Sequence, residues 1–366
     1  MSNAAITGKR FLVMRLGAIG DVLRVLPAVR RLRSSCPDAT IGWAVEHWAY
    51  PMIAANPMID RFHVLDRRAL DAGGLRAVAE VRRLVGEIRA CRYDVLLDFH
   101  GRAKSGLIGW LTRIPVRIGY ARGDASELNH LFTNVHVRLQ DRWENRVLRF
   151  LDLLAPLGID TRYDPNEHGL YIDPEIRRAA HSWYEAHDRP ELAVYPGTSA
   201  QRARERWPAE KWIELLRRMA DREVRSVVFW GPEEQELAQR IVAEAGASCL
   251  LAPPTTLPEM MAMIGCFRAF VGCDTAAAHM AWMQGIPTGV FIGAKPPRTI
   301  APLEPVPSYV LRADEYYREG VRLGRQPAEL VTAVPVAEAL EAVGRLLAVG
   351  RRSGGGSQAG EWEGRS

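Results

Sequence analysis

The chain has 366 residues, 48% of them hydrophobic and 25% charged, the balance of a globular protein with room for two domains. Its five cysteines (Cys36, Cys91, Cys249, Cys266, Cys273) are odd in number and form no CxxC, which excludes a disulfide framework and a zinc ribbon and fits a reducing cytosol. The net charge of +5 is carried by 44 arginines and only four lysines (Lys9, Lys104, Lys211, Lys295), and it favours phosphates, nucleotides or an acidic membrane surface as partners. No basic run is interleaved with aromatics, so nucleic acid is not an expected partner.

Arg15, Asp21 and Arg24 interrupt the first apolar stretch, so no signal peptide is expected. The least charged window, 275–294, contains His279, interior glycines and Pro287 and reads as helix, turn and strand rather than a membrane span. These features together predict a cytoplasmic protein.

In chain order, Phe11–Met14 reads as a strand that runs into a glycine loop. A helix follows with Val22, Leu26 and Val29 on one face. Ile41–Val45 and Phe62–Leu65 are strands, and 76–90 is a helix with Val78, Val81, Val85 and Ile88 at helical spacing. Asp94–Asp98 is a buried-type strand, a helix starts near Lys104, Arg117–Tyr120 is a strand, and a helix ends at Pro156–Gly158. The zone 158–190, richer in Pro, Asp and Gly, is the expected boundary. Beyond it the alternation repeats, with strands at Leu192–Tyr195, Ser226–Trp230, Cys249–Leu251, Ala269–Gly272, Thr288–Ile292 and Tyr309–Leu311. Such alternation predicts an α/β protein of two Rossmann-like domains, 1–165 and 190–325, with ligands beyond the carboxyl ends of parallel strands and a cleft between the halves. The last helix, 336–349, is a candidate to pack back on the first domain, and the tail 351–366 is expected to be disordered.

Three loops carry candidate chemistry. Arg15-Leu16-Gly17-Ala18-Ile19-Gly20-Asp21 follows the first strand with GxxGD spacing, not the GxGxxG of dinucleotide sites, and no acid is expected to end the second strand. Asp21 reads equally as a helix N-cap or as a general base. Pro196-Gly197-Thr198-Ser199 offers hydroxyls and amides to phosphate oxygens, and Arg202, Arg204 and Arg206 follow it. Taken alone, that arginine run reads better as a solvated loop. Gly272-Cys273-Asp274-Thr275-Ala276-Ala277-Ala278-His279 leads from a strand into a small-residue helix whose first amides suit a diphosphate. Here Asp274 can equally be an N-cap, and His279 a core histidine. The chain has no Asp-x-Asp, GxxxxGK[ST], GxSxG or HExxH.

The blocks 15–46, 196–212 and 272–293, with DVLLDFHGRAKSGLIGWL (94–111), RIGY (117–120) and NPMIDRFHVLD (56–66), resemble glycosyltransferase family 9, the heptosyltransferases of lipopolysaccharide core assembly. The resemblance runs from about residue 10 to 345. It implies the two-domain GT-B architecture and an inverting, metal-independent transfer from a nucleotide sugar, with ADP-heptose the expected donor and no cofactor. It puts the catalytic base on Asp21. Donor contacts fall on Thr198, Ser199, Glu234, Asp274, Thr275, Ala276 and His279. The acceptor side falls on Gly17, Gly20, Arg102, Lys104 and Arg117. Two positions depart from the family pattern. Glu205 stands where a phosphate-contacting lysine is usual, with Arg204 or Arg206 as replacements, and Ala276 stands where glycine is usual. The implied acceptor is an anionic lipid-linked saccharide, which would bring the enzyme to the inner-membrane surface. A nicotinamide-dependent oxidoreductase is the rival enzyme class, and a non-catalytic sugar-nucleotide-binding paralogue is the rival outside enzymes.

Overall fold

A computed structural model describes residues 8–350, so the expected disordered tail lies outside the described residues. The chain divides into two compact units. The first runs to Ile176 and takes in Thr256–Pro258 and Arg298–Ile300; the second is the remainder.

The first unit is built from β1 (Arg10–Met14), α1 (Ile19–Ser35), β2 (Thr40–Glu46), β3 (Arg61–Leu65), α2 (Arg67–Asp71), α3 (Gly74–Ala90), β4 (Val95–Leu97), α4 (Ala103–Leu111), β5 (Val116–Tyr120), β6 (Val135–Val137) and α5 (Arg146–Asp152). Among the described residues its sheet has six strands in the order β3-β2-β1-β4-β5-β6, all parallel. A parallel sheet is covered on both faces, which explains why β4, and β1 after Arg10, are apolar and buried. Leu84, Val85 and Ile88 of α3 close one face over Leu12, Met14 and Leu96.

The second unit contains most of α6 (Pro174–Ala186). It continues with β7 (Leu192–Tyr195), α7 (Ala209–Ala220), β8 (Ser226–Val228), α8 (Gln235–Ala245), β9 (Cys249–Leu251), α9 (Leu257–Ile264), β10 (Ala269–Cys273), α10 (Ala276–Met283), β11 (Thr288–Phe291), β12 (Ser308–Leu311), α11 (Glu329–Thr332) and α12 (Val336–Gly350). Its sheet reads β12-β11-β10-β7-β8-β9, again parallel, so the second unit repeats the strand order of the first. Trp207, Trp212 and Phe291 form its aromatic centre, with Trp207 stacked on Phe291 at 4.6 Å and edge-on to Trp212 at 5.0 Å. The Trp207 indole donates to the Val334 carbonyl (3.0 Å), which ties the end of the arginine loop to the chain leading into α12.

Two expectations need correction, and one helix is new. The last helix does not return to the first domain: Leu340, Val343, Leu346 and Leu347 belong to the core of the second unit, where α12 covers β10, β11 and β12. The boundary zone holds a helix, α6. Pro174 at its start and the Asp173 carboxylate on the Glu175 amide (2.8 Å) set it up, but only Ala180 along it is buried, so the apolar signal is faint. Strand β2 does end in an acid, Glu46, so one ground for setting the oxidoreductase aside disappears.

Several turns that feed strands at their amino-terminal ends hold non-glycine residues with left-handed φ: Arg92 (51°) before β4, Arg113 (62°) before β5 and Glu223 (62°) before β8. No helix among the described residues is long and apolar enough to cross a membrane. Truncating Leu346 to Ala should destabilise the protein by about 2–5 kcal/mol. Hydrogen exchange should show the loss in β10–β12 with β1–β4 still protected; equal loss in both sheets would place the helix elsewhere.

Candidate functional site

In each sheet the strand order reverses once, between β1 and β4 and between β7 and β10. Loops leaving the carboxyl ends of such strands diverge to opposite faces and leave a crevice where α/β proteins bind ligands. The candidate loops occupy these positions: Arg15–Ala18 after β1, Asp98–Arg102 after β4, Pro196–Pro208 after β7 and Asp274–Thr275 after β10.

Asp21 is not an N-cap. Helix α1 begins at Ile19 with Ala18 as its cap, and Asp21 lies in the first turn. Its carboxylate is buried and pairs with Arg15, Arg24 and Arg146, the last at 2.9 Å. Arg15 and Arg24 are buried too, with 8% and 5% of their side chains exposed, whereas Arg146 is 35% exposed. Arg15 is fixed by the Phe99 carbonyl (2.8 Å) and Arg24 by the Gly20 carbonyl (3.1 Å). Burial alone would raise the Asp21 pKa, but the three guanidiniums outweigh it and hold the carboxyl well below its usual range. Sequence reasoning did not connect Arg146, 125 residues away, with this cluster.

Gly17 lies against Trp48 and Glu46: a Cβ there would stand 2.6 Å from the Trp48 ring. Gly20 is buried in the first turn of α1. The Glu46 carboxylate accepts from Lys104 Nζ (2.7 Å) and the Trp48 indole (2.7 Å), so it is already engaged by a lysine. Asp98, fully buried, organises the next loop. It accepts from Ser105, Asn129 and the amides of His100 and Gly101, and burial pushes its pKa up against those bonds. This scaffold presents Arg102, whose side chain is 62% exposed, at the N-cap of α4. Arg117 is not brought to this group. It lies near the start of β5, and its guanidinium donates to the carbonyls of Ile114 (2.6 Å) and Phe132 (2.8 Å), towards the other end of the sheet.

In the second unit Thr198 is buried, and its hydroxyl donates to the Arg202 carbonyl (3.0 Å) while accepting from Arg206 Nε (3.1 Å). Ser199 is exposed at the start of the short turn Ala200–Glu205. Glu234 is buried and wedged between Gly197 and Gly231, where a Cβ would meet it at 2.5 and 2.6 Å. Burial raises its pKa against Arg206, 3.7 Å away. Arg206 is thus engaged by Thr198 and Glu234, and Arg204 is exposed.

The arginine that reaches the α10 entrance is Arg202. It donates to the Asp274 carbonyl (2.9 Å), the Asp274 carboxylate (3.0 Å) and Glu205 Oε2 (3.0 Å from Nε). Lys295, in the loop after β11, donates to the same Asp274 oxygen at 2.7 Å. Sequence reasoning named Arg202 in the basic loop without giving it a site role and gave Lys295 none, although a lysine is rare in this arginine-rich chain. Asp274 is not the cap of α10; Thr275 is. Burial would raise the Asp274 pKa, but Lys295, Arg202 and His279 hold it well below its usual range. His279 is buried, and its Nδ1 accepts from the Trp282 indole (2.9 Å), which leaves a proton for Nε2, 3.9 Å from Asp274. Thr275 Oγ1 is shielded and has no hydrogen-bond partner among the described residues, and Ala276 opens the helix beside it. Among the described residues no group of three or more His, Cys, Asp or Glu side chains is arranged to hold a metal ion.

The sequence profile of glycosyltransferase family 9 (heptosyltransferase) matches residues 81–320. Lipopolysaccharide heptosyltransferase 2 of Escherichia coli K12 is 26% identical over 306 residues, covering 80% of this chain and 85% of the relative. Two solved structures share the fold: a family 9 glycosyl transferase from Veillonella parvula (TM-score 0.77, 21% identity, 94% of this chain and 98% of that one) and the E. coli heptosyltransferase WaaC with ADP (TM-score 0.73, 22% identity, 92% and 99%). With its paired parallel sheets, the chain has the two-domain GT-B fold, and it belongs to glycosyltransferase family 9, the heptosyltransferases.

Proposed function

We propose that the chain transfers a heptose from ADP-heptose, with inversion and without a metal ion, to an anionic acceptor of the lipopolysaccharide core type. The observation that carries the reading is Asp21, an ionised carboxylate at the reversal point of the first sheet. Asp21 takes the proton of the acceptor hydroxyl as that oxygen attacks the anomeric carbon and the bond to the nucleoside diphosphate breaks. A base held at low pKa suits this step, because the hydroxyl becomes strongly acidic only as its new C–O bond forms. Charge growing on the leaving diphosphate meets the first amides of α10, the Thr275 hydroxyl and the cations of the second unit, which supply the stabilisation a metal would otherwise give. The ADP carried by the E. coli relative supports the choice of nucleotide. Arg146, the accessible arginine of the Asp21 cluster, and Arg102 would meet the anionic groups of the acceptor.

Contact with an anionic bilayer is part of the same reading. Leu107 and Trp110 on α4 are 45% and 53% exposed, and Leu128 before the turn Asn129–Leu131 and Leu131 within it are 64% and 66% exposed. The two elements pack together where Gly106 faces Asn129 and Phe132. Residues 102–138 hold six basic side chains (Arg102, Lys104, Arg113, Arg117, Arg122, Arg138) against Asp124 and Glu127. Apolar side chains set among cations suit an acidic lipid surface.

Asp21→Asn should lower kcat at least ~100-fold while ADP still binds, and near-normal turnover would remove Asp21 from the chemistry. Because its carboxyl is depressed, Asp21 stays ionised until pH falls through a value below the usual ~4. The pH–rate profile should therefore show no acidic limb from this group above about pH 4, and chelation with EDTA should leave the rate unchanged. The protein should sediment with phosphatidylglycerol vesicles but not with phosphatidylcholine vesicles, and Leu128→Asp with Leu131→Asp should abolish that binding; equal binding to both lipids would contradict the charge argument.

A further inference from the structure

The turn Ser126–Asn129 carries two features that disfavour it. It is closed by the Asn129 amide on the Ser126 carbonyl (3.0 Å), and both of its central residues, Glu127 (φ 53°) and Leu128 (φ 59°), are left-handed, a conformation that glycine or asparagine usually supplies. Asn129 is fully buried, and its Oδ1 is shielded with no hydrogen-bond partner among the described residues. Turning the side-chain amide over would not help, because Oδ1 would then face two other acceptors, the Asp98 carboxylate and the Arg102 carbonyl.

What offsets these costs lies in the loop after β4. Asn129 Nδ2 donates to Asp98 Oδ2 (2.7 Å) and to the Arg102 carbonyl (2.8 Å), and the Ser126 amide donates to the Gly101 carbonyl (3.0 Å). Gly106 clears the room this needs: a Cβ there would stand 2.6 Å from Asn129 Nδ2. Three bonds thus grip the segment Asp98–Arg102 at both ends. Within that segment the Phe99 carbonyl accepts from Arg15 (2.8 Å), and Arg15 pairs with Asp21.

We propose that the turn Ser126–Asn129 is a clasp on the loop after β4, and that Asn129 is a positioning residue for the transfer step. It sets the Phe99 carbonyl that steadies Arg15 on Asp21, and it sets the backbone from which Arg102 projects. The inference rests on Asp21 as the base.

The test compares the full chain with Asn129→Ala, with the milder Asn129→Ser, which keeps one short donor, and with Leu84→Ala, a core truncation in α3 of the same unit. Turnover is read as ADP release from ADP-heptose in the presence of truncated lipopolysaccharide core, at a temperature where a thermal melt shows each variant folded. The Asn129 variants should lose about tenfold or more in kcat with ADP affinity by calorimetry within about twofold, whereas Leu84→Ala should lower Tm and keep kcat within about twofold. If the Ala variant does not fold, the Ser variant decides. Asn129 variants that lose no more kcat than Leu84→Ala, or that lose ADP binding along with turnover, overturn the clasp, while the base stands if Asp21→Asn is inactive. Near-normal turnover in Asp21→Asn overturns both.

Discussion

Buried carboxylates must be matched by cations, and this constraint shapes both halves of the molecule. An uncompensated buried charge is strongly destabilising, of the order of 3–5 kcal/mol when one partner of a pair is removed. Asp21 is matched by Arg15, Arg24 and Arg146, and Asp274 by Arg202 and Lys295. The two solutions differ. Around Asp21 there are more cations than the carboxylate needs, which leaves net positive charge for an anionic ligand. Around Asp274 a second carboxylate, Glu205, restores balance.

Backbone topology makes these clusters possible. Parallel strands send every carboxyl-end loop to the same edge of the sheet, and the reversal of strand order opens a space there. Residues distant in sequence, such as Asp21 and Arg146, or Arg202 and Asp274, meet because their loops share that edge. The aromatic centre of the second unit has a similar role: with Trp207 anchored on Phe291 and Val334, the arginine loop before it is held at a fixed end.

Periodicity alone made the alternating strands and helices legible, since buried parallel strands are apolar runs and the helices between them are amphipathic. Elements with little burial escaped: β6 is three residues long and α6 buries only Ala180. The resemblance pointed to loops that leave the carboxyl ends of the strands, yet it did not show which side chains in them turn inward. Arg202 and Arg204 are indistinguishable in sequence. One turns in to Asp274 and the other faces solvent, because the short helical turn they share rotates them apart. Lys295 was beyond reach for a different reason: it lies 21 residues from its partner, and only the pairing of β10 with β11 brings the two loops together. Arg117 shows the converse, a basic residue in a motif whose donors serve the backbone instead.

The left-handed residues Arg92, Arg113 and Glu223 all precede strands, each at the amino-terminal edge of its own sheet, away from the candidate loops of that sheet. Most side chains other than glycine are uncomfortable in that conformation, while asparagine tolerates it and leaves the unfolded chain less entropy than glycine would. A heat-resistant form of this transferase can therefore be sought by remodelling these turns, which lie at the sheet edges away from the candidate loops.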